Sequence, residues 1–170
     1  EIFPMPIAAA ALGFTVLGDA SGALVGRAWG RHKFFNKSLE GVGGTTVVHL
    51  CFGYGAFVKR EKPNAYHYLA PLNDCAATQI SIEAAQPRLD PSQLDLLSKK
   101  QVMYGVIALN NAQVETPEIV AERLRAALKH ASPERIVVAP DCGMKYLPRP
   151  TAFAKLQAMV RGAELVRRAL

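Results

Sequence analysis

Four short apolar runs, each followed by a turn and then by a helix-forming or turn-rich stretch, constrain this chain more than any other feature. The runs are Thr45-Thr46-Val47-Val48 leading into His49-Leu50-Cys51, Thr78 to Ile82 leading into Glu83, Val102 to Leu109, and Arg135 to Asp141 leading into Cys142. Val102 to Leu109 is almost wholly apolar, as a strand covered on both faces must be. Four successive strand-helix units imply parallel strands joined by right-handed crossovers. The expected class is therefore α/β: either half of a (β/α)8 barrel or an open sheet. A chain of 170 residues is one domain's worth, short of the roughly 200 to 250 residues of a complete barrel. Residues 45–170 read as this half-barrel and residues 1–44 as a poorly defined N-terminal segment.

The connecting elements carry their own signals. Phe52-Gly53-Tyr54-Gly55 is a glycine-rich turn, Lys59 to Asn73 holds a short helix after Pro63, and another short helix spans Ser92 to Leu97. Thr116 is placed to cap a helix with Pro117 at its first position and Glu118 at its positive end. Val120, Leu124, Ala127 and Leu128 form that helix's apolar face. Ser132-Pro133-Glu134 returns the chain to the last strand. A final helix starts at Pro150, with Phe153, Leu156, Val160, Ala163 and Val166 spaced as a stripe that packs on a sheet.

Composition excludes several function classes. Half the residues are apolar and one fifth charged, as in an ordinary globular protein. The formal charge of +6 is a mild excess, and the basic residues are scattered without interleaved aromatics, which argues against nucleic-acid binding. Ile2 to Gly18 carries no charge, but Pro4 and Pro6 interrupt it and it is too short to span a bilayer. Glu1 also stands where a signal peptide wants a base. No membrane association is expected. The three cysteines, an odd number in a large domain, argue against a disulfide framework and for a reducing, cytoplasmic setting.

Chemistry concentrates at the strand ends. His49, Cys51, Glu83 and Cys142 offer nitrogen, sulfur and oxygen donors from three strands. In parallel α/β folds, function collects at the carboxyl ends of strands. His49 and Cys51, two apart in extended chain, project to the same side and can chelate, although a lone His-x-Cys is more often packing. Cys142 alone reads equally as a small buried apolar residue. Glu83 is harder to dismiss, because a carboxylate ending a buried strand needs a partner. Together the four suggest one metal site, and the donor set suits zinc. Cys75 precedes a strand rather than ending one and is expected to be structural. Asp141 is a candidate outer partner of the site or simply a solvated carboxylate. Asn110 follows the third strand and is expected on the same rim.

His49-x-Cys51, Ile82-Glu83, Gly105-Val106-Ile107, Val114 to Arg123 and Pro140-Asp141-Cys142-Gly143-Met144-Lys145 resemble, in order, the C-terminal catalytic barrel of cobalamin-independent methionine synthase. The resemblance covers about Gly41 to Arg168. It implies that His49, Cys51, Glu83 and Cys142 bind a catalytic zinc that takes the thiolate of homocysteine, with a 5-methyltetrahydrofolate as methyl donor. It implies a methyltransferase.

Two departures stand out. Larger synthases carry an Asp and then a His just after the third strand's Gly-Val, where this chain has Ala108 and Asn110. The family's acidic Asp-Glu-Pro strand motif, and the segments that hold the amino acid's ammonium group, have no counterpart in residues 1–44. Two other readings stay open: a vestigial or partner-dependent zinc-binding half-barrel, and a zinc thiol-alkyl transferase with another methyl donor, such as a methylated corrinoid protein. A half-barrel leaves a strand edge and an apolar face open. Homo-oligomerisation, or association with a complementary chain, is therefore expected.

Overall fold

The computed structural model describes residues 46–53 and 62–170, together with the backbone of residues 33–34 and 37–38. Six strands and two α-helices lie among these residues. Strands β1 (Lys33–Phe34) and β2 (Lys37–Ser38) form a two-residue antiparallel pair. Then come β3 (Val47–Leu50), β4 (Gln79–Ile82), β5 (Gln101–Ile107), helix α1 (Pro117–Ala127), β6 (Ile136–Pro140) and helix α2 (Arg149–Arg167). Strands β3 to β6 and the two helices make a parallel α/β fold, as expected. The chain divides into two compact units, Glu1–Leu50 with Cys75–Ser81, and Cys51–Asp74 with Ile82–Leu170.

In the first unit, β3 and the start of β4 are tied at one end. Thr46 O accepts from Thr78 N, Gln79 N and Thr78 Oγ1, each at 3.1 Å. Val48, Leu50, Ala77 and Ile80 supply the buried apolar residues of this unit.

In the second unit, β5 and β6 run parallel, with Val102 opposite Ile136 and Gly105 opposite Ala139, and an irregularity between Gly105 and Ile107. The core is built from Leu69, Ile82, Leu94, Leu97, Val102, Val106, Ile107 and Val120, all fully buried. Burying each such side chain is worth about 1.5–3 kcal/mol. Thr116 caps α1 as its spacing predicts, its hydroxyl accepting from Ile119 N. The face of α1 is nearly the expected one, with Val120, Ala121, Leu124 and Ala127 buried and Leu128 only half-buried.

Two local expectations are corrected. The stretch after Pro63 is a series of turns, and regular structure there is a 3₁₀ segment at Ala70–Asp74; the short helix expected at Ser92 to Leu97 is present as a 3₁₀ helix, Pro91–Leu97, with Asp90 as its cap. The expected stripe of α2 is buried only at Val166: Phe153 is 62 % and Val160 53 % exposed. Its buried face is instead Lys155, Ala158, Gly162 and Val166. Lys155 sets this rotation. Its ammonium is fully buried, donating to Glu115 Oε2 at 2.8 Å, to Ala108 O at 3.0 Å and to Gln113 O. An apolarity count assigns lysine to solvent and so turns the helix by the wrong angle.

Candidate metal centre

The second unit places Cys51, Glu83 and Cys142 in one cluster. Cys51 follows β3 directly, Glu83 follows β4 and Cys142 lies one residue beyond Asp141, which follows β6. Cys51 Sγ stands 3.3 Å from Glu83 Oε1 and 3.9 Å from Cys142 Sγ. Neither cysteine is in a disulfide, and Cys75, also unbridged, lies in the other unit near Ala77 O.

These separations fit a shared cation. Tetrahedral zinc, with bonds of about 2.3 Å to sulfur and 2.0 Å to oxygen, requires S···S and S···O edges of about 3.8 and 3.5 Å. Electrostatics points the same way. The hydrogen bond with Cys142, burial, and the negative charge of Glu83 push the Cys51 thiol far above its ordinary pKa. Two thiols and a carboxylate this close ionise together only around a positive ion.

The backbone is shaped to hold these donors. Gly53 has φ +94°, a conformation L side chains rarely adopt, and its N–H donates to Cys51 Sγ at 3.1 Å. Phe52 N donates to Glu83 Oε2 at 3.2 Å. The Tyr66 hydroxyl accepts from Glu83 N at 3.0 Å and donates to Glu83 O at 3.4 Å, and its ring stacks on Phe52 with centroids 4.3 Å apart. Burial, together with the nearby Glu83 and Asp141 charges, raises the Tyr66 phenol above its usual range, so it stays neutral and able to donate.

Asp141 is buried rather than solvated, and its partners are backbone amides. Oδ1 accepts from Ala84 N at 3.0 Å and Ala85 N at 2.9 Å, and Oδ2 from Gln86 N at 2.7 Å. One carboxylate at the end of β6 thus fixes the loop that leaves Glu83. Burial pushes its pKa up to about 6, against the pull of those three N–H groups. Gly105 makes room for it, since a Cβ there would lie 2.2 Å from Asp141 Oδ1 and 3.0 Å from Ile82 O.

In the first unit, His49 lies within β3, and its Nδ1 is 2.8 Å from Ser81 Oγ. A hydroxyl on one ring nitrogen fixes the imidazole's orientation, as outer partners do for metal-binding histidines. Asn110 sits on the surface of the loop after β5, accepting from Asn111 Nδ2 at 3.0 Å.

Residues that the sequence reading passed over also shape the site. Lys62 Nζ is 2.8 Å from Glu83 Oε2, and both side chains are almost solvent-free. Glu115, buried, accepts from Ala108 N at 2.8 Å and pairs with Lys155 and Arg123, while Arg123 Nη1 donates to Val106 O at 2.6 Å. This network pins the loop that carries Asn110. A polar residue's burial is invisible to periodicity, and the one available signal was Glu115 standing directly before the Thr116 cap.

Residues 60–165 match the sequence family described as "Cobalamin-independent synthase, Catalytic domain". A methionine synthase of Sulfurisphaera tokodaii is 37% identical over 136 residues, covering 79% of this chain and 37% of that protein. One from Thermococcus kodakarensis is 34% identical over 137 residues, covering 79% of this chain and 38% of that protein. Among solved structures, a B12-independent methionine synthase from Shewanella sp. W3-18-1, in complex with selenomethionine, matches with TM-score 0.68 and 29% identity over 92% of this chain and 45% of that one. The chain therefore spans somewhat more than a third of the curated relatives it matches.

Proposed function

Because the chain belongs to the cobalamin-independent methionine synthase catalytic-domain family, we propose that it carries that family's zinc site and transfers a methyl group to the thiol of homocysteine. The observation that carries this reading is the Cys51, Glu83 and Cys142 cluster, with His49 as the fourth donor two residues before Cys51. Zinc bound there would supply one thing, a thiolate held deprotonated at neutral pH.

The chain's own residues supply the rest. Cys51 and Cys142 give the site soft, anionic donors, and Gly53 N–H tempers the Cys51 sulfur. Glu83 is held by Tyr66 through its backbone and by Phe52 N and Lys62 through Oε2. Asp141 keeps the following loop in place. The bound selenomethionine of the Shewanella enzyme supports a sulfur amino acid as substrate, and a methylated folate is the proposed donor. Asn110, on the rim-side loop after β5, is a proposed substrate contact.

Residues 45–170 are proposed to form the zinc-binding part of a (β/α)8 barrel. Homo-oligomerisation or association with a complementary chain is also proposed. No helix among the described residues is long and apolar enough to cross a membrane, and a cytoplasmic enzyme is proposed.

The test is methionine formation from homocysteine and methylated folate, alongside elemental analysis after chelator-free preparation. One zinc per chain with turnover that Cys142→Ser abolishes supports the reading. Absence of zinc, or turnover untouched by Cys142→Ser, overturns it.

A further inference from the structure

Glu83 is 1 % exposed, and its two oxygens face different neighbours. Oε1 lies 3.3 Å from Cys51 Sγ, on the side of the thiols. Oε2 accepts from Lys62 Nζ at 2.8 Å and from Phe52 N at 3.2 Å. The Lys62 side chain is itself only 6 % exposed. A long cationic chain withdrawn from water this far is costly unless its charge is used.

We propose that Lys62 is the counter-charge of the metal centre: it retains Oε2 of Glu83, so that the carboxylate would offer only Oε1 to an ion held there. The inference rests on the zinc-site reading and adds to it a positioning residue that acts through Glu83 without touching substrate. Two thiolates and a carboxylate leave a divalent ion's site with one negative charge in excess, and Lys62 cancels it. A carboxylate shared with an ammonium donates less to the ion than one left to itself.

The lysine's charge must then oppose zinc while assisting thiol binding, which a purely structural role would not do. The experiment measures zinc affinity of the full chain by competition with a chromogenic chelator, for wild type, Lys62→Met, Lys62→Gln, Lys62→Arg, Glu83→Gln and the Lys62→Met, Glu83→Gln pair. Removing one like charge beside the ion should tighten zinc binding about ten-fold or more in both neutral variants. Lys62→Arg should stay near wild type, and the gain should shrink markedly when Glu83 is already Gln. In the zinc-loaded protein, homocysteine affinity measured by calorimetry should fall in Lys62→Met. Wild type with one zinc but neutral variants that bind it equally or more weakly would overturn the role of Lys62 alone. Wild type that binds no zinc would instead overturn the reading beneath it.

Discussion

Replacing Asp141 with Ala should destabilise the chain by about 3–5 kcal/mol even with every metal removed by chelator. Three backbone N–H groups, of Ala84, Ala85 and Gln86, converge on this one carboxylate at 2.7 to 3.0 Å. Hydrogen bonds to a charged group are worth about 1.5–3 kcal/mol each, and donors left buried without a partner cost a similar amount. The gross effect of about 5–9 kcal/mol is reduced because the variant no longer buries a charge, a cost visible in the upward push on the Asp141 pKa. Asp141→Asn should fall between, since an amide NH₂ in place of one oxygen meets an N–H donor. Urea unfolding at neutral pH gives the free energies, and hydrogen exchange gives the local readout: amides 84 to 86 should lose protection before those of β4. A loss below about 1 kcal/mol with exchange unchanged would refute the claim that Asp141 anchors the loop behind Glu83.

Three further outcomes follow from the same geometry. Gly105→Ala should cost about 1–3 kcal/mol by overpacking, because the added carbon meets Asp141 Cα at 2.9 Å and Ile82 O at 3.0 Å, atoms that cannot swing aside; unchanged unfolding would show that the backbone yields. Burial pushes the Glu115 carboxyl up, but Lys155 and the Ala108 N–H outweigh it and hold its pKa below the usual value. Its contribution is therefore complete at neutral pH and is lost as pH falls through that lowered pKa, so the stability gap between wild type and Glu115→Gln should close below about pH 4; a gap independent of pH would contradict the ion pair. Cys75→Ser should keep bound zinc and Cys142→Ser should lose it, read by elemental analysis, and equal retention would mean a wrong ligand set.

The strands and α1 were legible because their signals are local. An unbroken apolar run fixes β5, and Thr116-Pro117-Glu118 fixes the start of α1 whatever surrounds it. Cys51, Glu83 and Cys142 were legible for a related reason: each ends an apolar run, where a donor has no packing role. What stayed hidden depends on pairs distant in sequence. Lys155 and Glu115 are 40 residues apart and Asp141 and Ala84 are 57 apart; neither partner announces the other. Lys62 looks like one more surface base in Lys59-Arg60-Glu61-Lys62 until the Glu83 carboxylate is found beside it. The rotation of α2 was lost with Lys155, whose burial puts Phe153 and Val160 on the outside.

The central proposal is that Cys51, Glu83 and Cys142 bind one zinc, with His49 as the proposed fourth donor. X-ray absorption at the zinc K-edge of the purified full chain tests it most directly. The expected first shell is two sulfurs at about 2.3 Å and two nitrogen or oxygen atoms at about 2.0–2.1 Å, with a third sulfur replacing a lighter atom once homocysteine is added. A shell without sulfur, or one that homocysteine leaves unchanged, would contradict the account.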